Sequence, residues 1–381
     1  MKKILKHMIK LFILTSLFGN TQLFAQSESF SFRTYGERNE VNYTKNGTEY
    51  HIEYDGEIAI NDDDTDVVSI SSGGYLEISK RVFGTERRIL IESGRNGNLI
   101  RKYFINGKEK PYSPEGKNWL SDVLPTVVNK SSVGAKSRIK RFYEKGGIDS
   151  ALKAVRKINS NSLKTIYYEI IMDYSLSEEE KIKVVRSAGN TISSNSNLTG
   201  LLIRIRSHFF DNDQLISAFV DAAKKIGSDS NLTQLLKEIS KDEKVSNSKF
   251  TKFLSCGYTI NSDSNLSYLL IQTISKRGID GGILDKTLEL LEKEISSSSN
   301  ASDVYSTIAK VKNLSEEQLM KTLSSASESI SSSSNLMRVF LDFSKQVNHS
   351  SQRVKTHYIK EAKAISSSSN YRKAVSAINL D

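Results

Sequence analysis

The stretch INSDSNLSYLL, Ile260 to Leu270, decides the fold because it recurs along the chain. An Ile followed by Ser at +2 and again at +4 stands at Ile158, Ile192, Ile226, Ile260, Ile295, Ile330 and Ile365, with spacings of 34, 34, 34, 35, 35 and 35 residues. A fixed period of that length marks a stack of helix–turn–helix units. Six copies carry Asn at +5, and the first carries Leu163 there.

Each column then acquires a physical job. The Ile ends a first helix, the Ser/Asp/Asn run turns the chain, and a Ser oxygen caps the open N–H groups of a second helix; Ser262 or Ser264 serves in the Ile260 copy. Behind the turn, apolar residues fall at +9, +10 and +13, as Leu235, Leu236 and Ile239 or as Val339, Phe340 and Phe343, which is one helical face. Ahead of it, position −7 holds Val185, Phe219, Phe253, Leu288, Leu323 and Tyr358. Position −4 holds Ala188, Ala222, Cys256, Leu291, Ala326 and Glu361. Helices this short are marginal alone, so neighbours must bury one another's stripes. Arg372, Lys373 and Asp381 mix polarity into the last copy, as an array cap would. No proline follows Pro125, as uninterrupted helices require.

Upstream the period changes to two. Tyr50, Ile52 and Tyr54 alternate with His51, Glu53 and Asp55, and turn residues recur at Asn46-Gly47, Asp55-Gly56, Gly73-Gly74, Ser93-Gly94, Gly97 and Asn106-Gly107. Residues 41–107 are therefore expected to form a meander of six or seven short strands. Ser113-Pro114-Glu115 predicts an N-cap with Pro at the first helical position, opening a helix whose Trp119, Leu120, Val123 and Leu124 cover the sheet. The expected class is α+β: a signal peptide over 1–25, an antiparallel β-meander domain over 26–112, a helical junction over 113–144, and an αα-superhelical solenoid of about seven repeats over 145–381.

The signal peptide is read from a basic start at Lys2, Lys3, Lys6 and Lys10, an apolar Leu11 to Leu17, and a cleavage site after Ala25. The mature chain is then periplasmic or secreted with no membrane span. Its lone Cys256 can form no intrachain disulfide. Of the net charge of +10, four leave with the signal. Residues 26–127 hold 13 basic and 17 acidic side chains, whereas residues 130–157 hold nine basic and two acidic. That basic collar, Lys136, Arg138, Lys140, Arg141, Lys145, Lys153, Arg156 and Lys157, is the candidate binding patch for an anionic polymer or acidic surface; without such a ligand it reads as a solvated helix face or one docked on the acidic sheet domain. Export argues against nucleic acid.

No other pattern carries catalytic chemistry. The histidines form no HExxH pair. Asp62, Asp63, Asp64 and Asp66 lack the Gly and Glu of a calcium loop and read as a solvated turn. Gly94 to Asn98, GRNGN, reads as a hairpin rather than a phosphate loop, and Cys256 fills an Ala-sized space. No cofactor or metal is implied, and the chain is expected not to be an enzyme; a hydrolase would need a paired-carboxylate or nucleophile site assembled from distant positions, and that is the third reading.

From residue 100 onward the sequence resembles an extracytoplasmic sheet-plus-repeat region of uncharacterised bacterial proteins, sometimes fused behind membrane metallopeptidases similar to the β-lactam sensor and antirepressor regulators. Lys102-Tyr103 to Asn106-Gly107, Trp119-Leu120, Leu124-Pro125, Gly134-Ala135, Arg138, Gly146-Gly147 and the Ile226 and Ile260 turns carry the likeness. The peptidase itself is missing. The resemblance implies a sensing or interaction role. The helical period also matches tetratricopeptide repeats, whose Trp, Gly-Tyr and Pro positions are absent here. The expected partner is a protein or peptide held by the repeat array, its identity left open by the residues; the alternative is an envelope glycan or other anionic polymer at the collar.

Overall fold

The computed structural model describes residues 28–35 and 38–379, so the expected signal peptide lies outside the described residues. The chain divides into two compact units, one up to Arg138 and one from Ile139 onward.

Among the described residues the first unit has nine strands: β1 (Glu28–Tyr35), β2 (Arg38–Lys45), β3 (Thr48–Asp55), β4 (Ile58–Ile60), β5 (Val67–Ile70), β6 (Tyr75–Val82), β7 (Thr85–Ser93), β8 (Leu99–Ile105) and β9 (Lys108–Lys110). Seven form one antiparallel sheet in the order β1-β2-β3-β6-β7-β8-β9, and β4 pairs with β5 alone. The count exceeds the expected six or seven because a hairpin is inserted between β3 and β6 and a strand precedes residue 41. The alternation holds: Ile52 and Tyr54 are buried with Ile78, Ile89 and Ile91. The expected GRNGN hairpin is present, with the Gly94 N–H donating to the Asn98 carbonyl at 2.7 Å.

Helix α1 (Lys117–Lys130) lays Trp119, Leu120, Val123, Leu124, Val127 and Val128 into the sheet's core, so it belongs to this unit's interior. The predicted cap is displaced. Ser113 is extended, at φ −102° and ψ 136°, and the helix proper starts after Gly116 with no side-chain cap. A Cβ at Gly116 would meet the Tyr103 ring at 2.9 Å, so the entry to α1 is set by close approach to the sheet rather than by a Ser oxygen. Pro125 sits inside α1.

The next helix, α2 (Ala135–Arg156), bends at Gly146 and Gly147 and carries the chain into the second unit. There follow α3 (Asn161–Met172), α4 (Glu178–Thr191), α5 (Asn195–Ile205), α6 (Asp213–Ala223), α7 (Asp229–Ser240), α8 (Asn247–Leu254), α9 (Asp263–Arg277) and α10 (Ile283–Glu294). The remainder are α11 (Ser298–Ile308), α12 (Glu316–Ser329), α13 (Ser333–Asn348), α14 (Gln352–Ala362) and α15 (Ser368–Val375). Odd-numbered helices from α3 to α15 pack one against the next, and so do even-numbered helices from α4 to α14. Two parallel rows result, one of first helices and one of second helices.

The turns do what the columns require. Each punctuating Ile is buried, Ile260 to 2 % exposure. The Ser at +2 is the N-cap in all seven copies: Ser160, Ser194, Ser228, Ser262, Ser297, Ser332 and Ser367 each accept a hydrogen bond from the backbone N–H three residues on. Because that donor is backbone, Leu163 at +5 of the first copy is tolerated. The Ser at +4 is not a cap. Ser264 lies in the first helical turn, its Oγ 3.0 Å from Ser262 Oγ. Ser262→Ala is therefore expected to cost ~1 kcal/mol in urea denaturation, with Ser264→Ala costing less.

A second set of bonds ties each turn to its neighbour. The side chain at +3 accepts from a backbone N–H of the following turn: Asn161 from Ser193 at 3.0 Å, Asn195 from Gly227 at 2.9 Å, Asp229 from Ser262 at 2.8 Å and Asp263 from Ser297 at 2.7 Å. Ser298 and Ser333 do the same for Ser332 and Ser367, both at 3.2 Å. The serine-rich runs are thus structural corners, bonded within each turn and from one turn to the next.

Candidate interaction surface

The collar residues do not form one free surface. Lys136 pairs with Glu57. The Arg138 guanidinium, little exposed, meets Asp64 at 3.3 Å. Both are engaged by the β4–β5 region of the first unit. Asp64 and Asp66 are likewise occupied, Asp66 by Arg101 at 3.4 Å, and among the described residues no group of three or more His, Cys, Asp or Glu is placed to hold a metal. In the second unit Lys140 lies 3.9 Å from Glu144, and the Arg141 guanidinium sits 5.2 Å from the centre of the Phe142 ring. Lys145, Lys153, Arg156 and Lys157 are exposed along the rest of α2 and just beyond it, where the last three complement the negative helix end. The seven punctuating isoleucines are buried and hold the corners together.

The row of first helices offers more. At two of its seams position −3 of one helix meets −4 of the next. At the α4–α6 seam these are Gly189 and Ala222: a Cβ on Gly189 would lie 3.0 Å from Ala222 Cα, a tight approach at which a larger residue would push the two helices slightly apart. Beside it opens a groove of about 400 Å³, lined by Arg186, Asn190, Asp221, Lys224 and Lys225.

At the α12–α14 seam the same columns turn polar. Ser327 donates to Glu361 at 2.7 Å, and His357 Nε2 lies 2.9 Å from Ser324 Oγ and 3.1 Å from the Met320 carbonyl. Burial raises the Glu361 pKa, but the Ser327 hydroxyl and Lys360, 3.2 Å away, outweigh it and hold the carboxyl below its usual range. A groove of about 420 Å³ opens here, lined by Met320, Lys321, Ser324, Arg353, Thr356, His357 and Lys360.

Ser324, His357 and Glu361 invite comparison with a nucleophile–base–acid relay. The geometry opposes it: Glu361 approaches the same Nε2, at 3.8 Å, that faces Ser324. A relay places the acid on the opposite ring nitrogen. Cys256 is fully buried, and burial pushes its thiol up to about 12, leaving it protonated and unreactive at neutral pH.

Three features escape the sequence reading. Arg277 stacks on Phe250 at 4.5 Å and donates to the carbonyls of Val245 at 2.7 Å, Asp242 at 2.9 Å and Ile239 at 3.1 Å, closing the loop after α7. His357 lies in a stripe whose other members are mostly apolar or small, and Glu361 was visible only as a misfit at −4. The third is the Phe83-Gly84 turn between β6 and β7, which no turn-residue pattern announces.

No helix among the described residues is long and apolar enough to cross a membrane. Comparison with protein-family models, curated proteins and solved structures finds no match to this chain.

Proposed function

We propose that the chain is a non-catalytic, exported interaction module whose row of first helices holds an acidic segment of a protein or peptide partner. The observation that carries this reading is the charge of the two grooves. Arg186, Lys224 and Lys225 face Asp221 in one, and Lys321, Arg353 and Lys360 line the other with no acid on its wall. Lys321 is shared with Asp285 and Lys360 with Glu361, both acids lying outside that wall. At the turn edge, by contrast, serine, asparagine and aspartate side chains bond to their own turn and to the next one. Rigid helices hold the groove side chains in place, which lowers the entropy cost of binding. The reading accords with the export signal expected over residues 1–25 and with the sensing or interaction role that the resemblance implies.

The test uses the full chain and a fluorescent glutamate-rich peptide. Arg353→Glu combined with Lys360→Glu is expected to weaken binding roughly tenfold at low salt, and wild-type binding is expected to fall as salt rises. Equal affinity of the double variant and the wild type would remove the groove from consideration. In the alternative reading, an envelope polymer at the collar, the loss appears instead on reversing Lys153 and Arg156, two of the exposed collar cations.

A further inference from the structure

Three hairpins of the sheet share one turn geometry, and one of them breaks its chemistry. Asn46-Gly47, Phe83-Gly84 and Asn106-Gly107 each place two residues at positive φ: 49° and 73°, 46° and 84°, 47° and 76°. Asn enters that region readily because its short amide bonds locally, whereas a bulky aromatic is strained there. Among the described non-glycine residues at positive φ, the others are Asn or Asp. Phe83 is also 94 % exposed. Neither the strain nor the apolar exposure is offset by any contact of the ring within its own unit, and such outliers point to function.

A cavity of about 350 Å³ opens beside this turn, lined by Lys80, Val82, Thr85, Arg87, Trp119, Asp122 and Val123. Its size admits a phenyl ring. Val82 and the small exposed edges of the otherwise buried Trp119 and Val123 offer apolar contact, and Lys80 and Arg87 can lie against the face of an aromatic guest. Two of its wall residues, Val82 and Thr85, flank the Phe83-Gly84 turn directly. Knob and hole therefore sit side by side on one hairpin.

We infer that Phe83 of one copy seats in the Trp119 cavity of a second copy, and the reverse, in a two-fold exchange. Adjacent knob and hole are what a self-complementary contact needs: the rotation that fills one cavity fills the other. The contact is small, so the dimer is weak and reversible. It involves neither groove of the helix row and stands apart from the binding role.

Sedimentation of the full chain over a wide concentration range reads the exchange. Wild type is expected to shift from monomer to dimer, and the emission of Trp119, the only tryptophan, is expected to change with it. Phe83→Asn, which suits the turn and should fold at least as well, is expected to raise the dimer dissociation constant roughly a hundredfold, two rings being lost per dimer. Thr85→Tyr, an exposed change that fills the cavity while keeping Phe83, should weaken the dimer similarly. A chain that stays monomeric throughout, or a Phe83→Asn variant that pairs as well as wild type, would overturn the inference. So would a monomer whose Phe83 instead governs binding to phosphatidylglycerol vesicles.

Discussion

Phe219→Ala is expected to lower the stability of the helical array by ~3–5 kcal/mol, the upper range for truncating a buried aromatic. Phe219 lies on α6 at 0 % exposure, with the Phe209 ring 5.4 Å away and the Phe253 ring meeting it edge-on at 5.8 Å. Phe253 belongs to α8 and Phe209 to the turn after α5, so the ring joins three consecutive segments of the stack. Removing it leaves a void that rigid helices on both sides cannot close. Chemical denaturation followed by circular dichroism gives the loss directly. A transition that splits in two would show the array parting at this point, as nearest-neighbour coupling predicts. A loss below ~1 kcal/mol would mean that the cluster repacks freely.

Ile260→Ala is expected to cost ~2–5 kcal/mol and Ile260→Val ~0.5–1.5 kcal/mol, a graded series at one corner. The Ile260 N–H donates to the Gly257 carbonyl at 3.0 Å, and its backbone, at φ −91° and ψ 110°, leaves the helix there. Its side chain plugs the angle between the end of the first helix and the start of α9. Urea midpoints of the two variants check both values. Equal midpoints for Ala and wild type would show that the side chain does not fill the corner.

Both substitutions probe features that were legible in the sequence, because period, cap and stripe are properties of short stretches. Val185, Phe219, Phe253, Leu288, Leu323 and Tyr358 are all buried, as their shared column requires. Alternation likewise revealed the sheet. What it could not reveal is which strands pair: the inserted β4–β5 hairpin looks locally like another pair of sheet strands. The same limit applies to charge. Lys136 and Arg138 read only as members of the basic collar because the acids that engage them, Glu57 and Asp64, lie more than seventy positions away. The polar α12–α14 seam is built from residues one repeat apart and showed in the columns only as the misplaced Glu361. Phe83 was missed because its side chain contradicts the turn that its backbone makes.

The ladder of bonds between corners bears on how such a chain changes length. Every link joins a short side chain to a main-chain N–H one period away, and neither member depends on which copy supplies it; Asn, Asp and Ser all serve. Duplication or excision of a whole period inside the array would rejoin the same chemistry across the new boundary. A change by any other number of residues would leave an N–H without its acceptor and turn a buried stripe toward water. The array is thus built to grow or shrink in whole steps, with its corners acting as interchangeable couplings.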